Sequence, residues 1–188
     1  MSFKVHLIKL SGRKARQFGF TLIELITVMI VIGILGAIAA PRFFDRKGFD
    51  AVAYSDQIRA LIRYGQKIAI AENRNVFVRI DGNSVALCFD STCTSYVLPA
   101  SRNNSGSSTT LARCGNTTAW ACEGLPNGLT MSPSTTITFY FDPTGKPFAS
   151  GDTPPTLASS FANDMVITIG GDGTTHTTTV TAETGYVY

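Results

Sequence analysis

The sequence predicts an α+β chain. A long N-terminal helix, membrane-spanning at first and amphipathic beyond, packs on an antiparallel β-sheet head. Three observations predict it. Residues 20–40 form an unbroken apolar run with a single charge, Glu24. Residues 43–73 carry apolar side chains at three- and four-residue steps, the period of one helix face. After Asn73 the period shortens to two, the signature of half-buried strands.

The first element is a basic leader, residues 1–19. Lys4, Lys9, Arg13, Lys14 and Arg16 place five of the 16 basic residues here, and none of the 13 acids. The formal charge of +3 is therefore a property of the leader, and the rest of the chain is slightly acidic. Nucleic-acid binding by bulk charge is unfavourable for such a body.

The second element, residues 20–40, is 21 residues long. At 1.5 Å per residue it covers roughly 30 Å, the hydrocarbon thickness of a bilayer. Positive charges on its N-terminal side predict one pass, with the N-terminus cytoplasmic and everything after Arg42 exported. Pro41 removes a helix hydrogen bond and predicts a kink there. The alternative is a secretory signal cut after Ala37-Ile38-Ala39. The apolar run is long for that, carries an acid near its start, and has Pro41 just past the cut.

The third element, residues 41–73, is an amphipathic stalk. Tyr54, Ile58, Leu61, Gly65 and Ile68 mark one face, and Arg59, Arg63 and Lys67 mark another. That basic stripe reads first as a solvated face and second as a phosphate or partner contact. Joined to residues 20–40, the stalk predicts a helical rod of roughly 80 Å.

The head, residues 74–188, opens with a hairpin: residues 76–80 and 84–89 flank Asp81-Gly82-Asn83. Residues 99–118, rich in Ser, Thr, Asn and Gly, predict a long exposed loop. Residues 137–141 predict a strand ended by the turn Asp142-Pro143-Thr144-Gly145. A Pro/Ser-rich loop covers 149–160. Residues 165–169 and 177–181 pair across 170–175, and 186–188 predict a last short strand.

Gly19-Phe20-Thr21-Leu22-Ile23-Glu24-Leu25, set between a basic leader and the apolar run, resembles the class III signal of type IV pilins and type II secretion pseudopilins. The resemblance implies cleavage after Gly19 by a prepilin peptidase and N-methylation of the new terminal Phe20. It also implies that the apolar helix is retained as the core of a helical filament. The implied partners are other pilin or pseudopilin subunits and the inner-membrane assembly platform, with a cytoplasmic ATPase as motor. The implied location is the bacterial inner membrane, with the head periplasmic, and then the pilus or pseudopilus. An acid inside the membrane is costly without a partner. Glu24 lies about 6 Å along the helix from the Phe20 amine and is suited to meet a neighbour's N-terminus during assembly. Further along, Ala69-Ile70-Ala71, the hairpin after it, Phe141-Asp142-Pro143-Thr144-Gly145 and Thr184-Gly185-Tyr186-Val187 resemble the GspH/FimT group of minor pilins and pseudopilins. Residues 40–71 are also similar to minor pilins of the MSHA type. DNA-uptake members of the group tend to carry basic residues near the C-terminal Gly, where this chain has Tyr186-Val187-Tyr188. A ligand-capturing head, for DNA or a surface, is the second reading, with Arg102 and Arg113 in the 99–118 loop or the helix stripe as its site.

Cys88, Cys93, Cys114 and Cys122 all lie in the exported part. In an oxidising compartment they read as two disulfides with three possible pairings. Cys88–Cys93 and Cys114–Cys122 are preferred because each staples a short loop. The spacings suit zinc poorly, and His176 is the only histidine beyond the leader. No cofactor is expected and no catalytic constellation is found: His6 belongs to the leader, and His176 sits in a Thr-rich strand. Gly170-Gly171-Asp172-Gly173 reads as a hairpin turn rather than a calcium loop. Trp120, the one tryptophan, reads as a core anchor or as an exposed contact.

Overall fold

The computed structural model describes residues 20–43, 47–152 and 158–188. The leader with its Gly19 junction, the connection at 44–46 and the middle of the second Pro/Ser-rich loop lie outside these residues. The chain divides into two units, one through Phe44 and one from Asp45 to Tyr188.

The first unit is helix α1 (Leu22–Phe43). Thr21 begins it: the Glu24 backbone N–H donates to the Thr21 hydroxyl at 3.3 Å, which satisfies one of the orphan donors of the first turn. The helix runs through Pro41 and stops two residues later. A proline lacks the N–H needed to reach the carbonyl four residues back, so the helix is weakened where it ends. Every described side chain from Leu22 to Ile38 is exposed. Among the described residues no helix is long and apolar enough to cross a membrane, the described side chains of α1 ending at Ile38.

The second unit begins with helix α2 (Lys47–Ala71). It is closed by Asn73 in the left-handed region (φ 51°), with Asn73 N–H bonded to the Ile70 carbonyl and Arg74 N–H to the Ala69 carbonyl. That pair of reversed bonds satisfies the last carbonyls of the helix and turns the chain directly into the sheet. Strands β1 (Val76–Ile80) and β2 (Ser84–Cys88) follow, then a short helix α3 (Ser108–Arg113). The remaining strands are β3 (Cys122–Gly124), β4 (Thr130–Ser132), β5 (Ile137–Phe141), β6 (Pro147–Ala149), β7 (Met165–Gly171) and β8 (Thr174–Val180). They form a five-stranded sheet, ordered β3-β2-β1-β5-β6, and a three-stranded sheet, ordered β4-β7-β8, with antiparallel neighbours throughout.

Helix α2 covers one face of both sheets. Ala51, Tyr54, Ser55, Ile58, Ile62, Gly65 and Ala69 are its buried residues, at helical spacing. They meet Val76, Val78, Leu87 and Phe139 from the large sheet and Ile167 and Ile169 from the small one. The register aligns Val78 with both Leu87 and Phe139, so one row of apolar side chains crosses three strands. Strand β2 is buried at all five positions. Val85 and Leu87 belong to the main core, whereas Ala86 and Cys88 join a second cluster with Cys93, Cys114, Trp120 and Cys122. A strand covered on both faces loses the polar alternation by which half-buried strands are read.

Several expectations are revised. The 99–118 segment contains α3, capped by the Ser107 hydroxyl, which accepts from Thr110 N–H at 3.1 Å. Strands β3, β4 and β6, three residues each, were not expected at all. The last hairpin is tighter than a six-residue connection. Strands β7 and β8 pair as far as Gly171 and Thr174, leaving Asp172 and Gly173, both at positive φ, as the two-residue turn. Residues 186–188 make a bridge from Val187 to Val180 rather than a full strand.

Candidate functional site

The features that bear on function fall in two places, one in each unit. In the first unit, Phe20 is 80% exposed and Glu24 is the acid of the first turn of α1. A carboxylate there complements the positive helix N-terminus. The Thr27 hydroxyl donates to the Glu24 carbonyl at 2.9 Å. The four ion pairs found among the described residues do not include Glu24. Phe20, Glu24, Leu25, Val28, Met29 and Ile32 line one apolar groove along the helix. The capping role of Thr21, which sequence reasoning placed only within the signal, is one that it missed. The Thr-x-x-Glu pattern of Thr21 and Glu24 is a helix-start signal and could have located it.

In the second unit, the basic stripe of α2 divides: Lys67 and Arg63 are exposed, as a solvated face would be, while Arg59 and Arg63 also reach backbone carbonyls of the head. Arg59 donates to the Thr177 carbonyl at 3.1 Å and pairs with Asp56 at 2.9 Å. Arg63 Nε donates to the Val187 carbonyl at 2.8 Å. One turn on, Gln66 Nε2 donates to the carbonyls of Gly145 (2.8 Å) and Thr184 (3.1 Å). These side chains tie α2 to β8, to the turn after β5 and to the C-terminal segment. Arg113 likewise donates to the Asn83 carbonyl at 3.0 Å. The groups offered by the sequence as a phosphate site are thus largely engaged in holding the head together.

The structure joins Cys88 to Cys93 and Cys114 to Cys122, with Cα separations of 5.1 and 5.9 Å. The first closes a loop centred on Asp90, whose carboxylate accepts from the N–H groups of Thr92, Thr94 and Ser95 and from the hydroxyls of Thr92 and Thr94. The Thr92 hydroxyl and the Thr94 N–H are the main reasons its pKa lies well below the usual carboxylate range. The second bridge holds Trp120, which is buried, donates from Nε1 to the Leu87 carbonyl at 2.9 Å and stacks on Tyr96 at 4.3 Å. Trp120 is a core anchor of this face.

Between the bridges, the polar 99–118 segment folds around a buried acid. Glu123 accepts from Ser105 N–H at 2.8 Å, from the Ser105 hydroxyl and from the Thr110 hydroxyl at 3.1 Å. The Tyr54 hydroxyl donates to the Glu123 carbonyl at 3.0 Å, and burial, with the Glu123 charge second, pushes its phenol well above the ordinary value. His176 lies on β8 opposite Ile169, beside Phe49 and Val52 of α2. Among the described residues no cluster of His, Cys, Asp and Glu is suited to a metal.

With that geometry in place, comparison with known proteins becomes informative. Residues 14–40 match the prokaryotic N-terminal methylation motif. Over 61 residues the chain is 43% identical to the type IV narrow pilus major component PilA5 of Thermus thermophilus. Over part of its length the chain is thus similar to type IV pilins. The PilA5 alignment takes in 32% of this chain and 53% of the relative, so the chain spans about half the length of the curated relative it matches. Two crystal structures of the minor pilin FimU of Pseudomonas aeruginosa also align. One has TM-score 0.45 and 11% identity over 73% of this chain and 86% of FimU. The other has 0.41 and 12% over 72% and 89%.

Proposed function

We propose that the chain is a structural subunit, a minor pilin or pseudopilin, of a type IV pilus or a type II secretion pseudopilus. The observation that carries this is the methylation motif at residues 14–40 heading a helix whose described side chains, Glu24 and Thr27 aside, are apolar and are exposed all round. A helix of that kind needs lipid or other helices around it. Residues 1–19 are the leader removed by prepilin peptidase after Gly19, and Phe20 is the residue N-methylated. Residues 20–40 span the bacterial inner membrane with the head periplasmic, then transfer into a filament core. Residues 41–73 are the stalk and 74–188 the strand-rich head. The minor role follows from the head, with its two Ser/Thr-rich loops and its GspH/FimT-like ending. The assembly platform and neighbouring subunits are the partners, and no cofactor is required.

In this scheme Glu24 is the assembly residue. Its carboxylate, exposed on an apolar helix, takes the Phe20 amine of a neighbour as counter-charge, which sets the stagger between subunits. The test is Glu24→Ala in the native host. The variant accumulates in the membrane, processed, and is missing from sheared filaments. Its recovery in filaments at the unaltered level would overturn the assignment. A head that captures DNA gains no support from the helix stripe, since Arg59 and Arg63 already serve backbone carbonyls of the head.

A further inference from the structure

We infer that a cavity of the head with Glu123 in its lining binds a straight-chain primary ammonium group, the chemistry of a lysine side chain. The inference concerns the head alone and stands whether or not the chain enters a filament. The cavity holds about 190 Å³ between α2 and residues 99–104. Ala60, Leu61 and Tyr64 of α2 line it, with Pro99 and Ala100 of the loop. The Tyr64 hydroxyl donates to the Leu98 carbonyl at 3.0 Å, which ties the helix side of the cavity to the loop side. Glu123 is opposite Val85 in the β2–β3 register, and Val85 belongs to the core beneath α2, so the Glu123 side chain lies on the α2 side of the sheet. It is 7% exposed, and the four ion pairs found among the described residues leave it out. A buried carboxylate without a cation is unusual.

The lining selects the ligand. A carboxylate offers about four acceptor positions on its two oxygens. Ser105 N–H takes one on Oε1, and the hydroxyls of Ser105 and Thr110 take those of Oε2. Oε1 therefore has room for one more donor. The Gln57 carboxamide lines the same cavity and supplies a further acceptor. Among the described residues no basic side chain lines it, so an anion would meet the Glu123 charge alone. Arg102, between Ser101 and Asn103, is exposed and is not part of the lining. A sugar would set hydroxyls against Ala60, Leu61, Pro99 and Ala100, whose side chains offer them no partner. An alkyl stem suits those walls, and the ammonium at its end brings three donors to Glu123 and Gln57. Tyr64 is an aromatic wall suited to a cation.

The test uses the full chain in uncharged detergent, with the Leu61 methyl and Gln57 side-chain amide signals followed by NMR. n-Butylammonium at millimolar concentration is expected to move both signals to saturation. n-Pentanol has a similar shape without the charge and is expected to bind about tenfold more weakly, or not at all. Glu123→Gln is expected to weaken n-butylammonium by about tenfold or more. Ala60 is exposed and lines the cavity, so Ala60→Phe fills it from the solvent side and is expected to abolish the shifts. Nα-acetyl-lysine methylamide and cadaverine separate the two sources of the group. Binding of the first assigns the site to a lysine of another chain, binding of cadaverine alone assigns it to a free amine, and either supports the ammonium site. Equal binding of n-pentanol overturns it, as does unaltered binding in a folded Glu123→Gln or Ala60→Phe variant. Shifts with methyl glucoside but not with n-butylammonium overturn it in favour of a sugar, and no shift with any amine overturns it outright.

Discussion

The guanidinium of Arg63 donates to the main-chain carbonyl of Val187 across 124 positions of sequence, at 2.8 Å. With Arg59 and Gln66 on the same side of α2, it makes the C-terminal segment part of the helix packing. A hydrogen bond from a charged donor is worth about 1.5–3 kcal/mol, less where one partner is partly solvated. Arg63→Ala is expected to destabilise the head by about 1–2 kcal/mol. Arg63→Lys restores part of that, because an ammonium lacks the fixed direction of the Nε–H. Denaturant melts of the full chain in detergent read both, and a melt of Arg63→Ala coincident with wild type would contradict that packing role.

Gly185 holds the same segment from the other side. Its φ of 66° is in the left-handed region, and a Cβ there would meet the Gly145 carbonyl at 2.5 Å and Gln66 Nε2 at 2.8 Å. Gly115 has nearly the same φ, 68°, but open space where its Cβ would stand. Gly115→Ala is therefore expected to cost about 1 kcal/mol of backbone strain alone. Gly185→Ala adds overpacking of about 1–3 kcal/mol. Equal melting temperatures for the two variants would show that the Gly145–Gly185 approach carries no stability.

Acid should loosen the loops before the core. Asp90 and Asp152 lie below the usual carboxylate range through hydrogen bonds led by the Thr92 hydroxyl and by Ser160 N–H, respectively. Burial raises the pKa of Asp81, but the bonds from Asn83, Ser84 and Arg79 outweigh it and leave the pKa lowered. A depressed native value means the stabilisation is fully present above the ordinary value of 3.8 and is lost as pH falls through the native values below it. The melting temperature of the full chain should be flat from neutral pH to about pH 5 and fall below about pH 4. Asp90→Asn should flatten part of that fall. A melting temperature unchanged down to about pH 2 would contradict the role of these aspartates.

The parts of the fold legible in the sequence are those with a period long enough to read. Helix α2 repeats its apolar step from Ala51 to Ala69, and β1, β5, β7 and β8 run five to seven residues each. Strands β3, β4 and β6 are three residues long and exist because a neighbour's edge accepts them, which no local pattern records. Residues 99–118 misled because Ser, Thr and Asn suit turns, whereas here Asn104, Ser105 and Thr110 donate to the buried Trp120 carbonyl and Glu123 carboxylate, which lie beyond the segment. The stripe was legible as a solvated face, with Arg63 and Lys67 exposed, but the bonds of Arg59 and Arg63 were not, because their acceptors, Thr177 and Val187, lie over a hundred positions away. The prepilin signal was legible because it is a linear address, with Gly19, Phe20 and Glu24 in fixed order ahead of an apolar run.

The most direct test of the account is the mass of the N-terminal peptide of the protein recovered from membranes of cells that hold a prepilin peptidase. The account predicts a terminus at Phe20 carrying one added methyl group, with residues 1–19 gone. An intact Met1, or a terminus at Ala40, would contradict it.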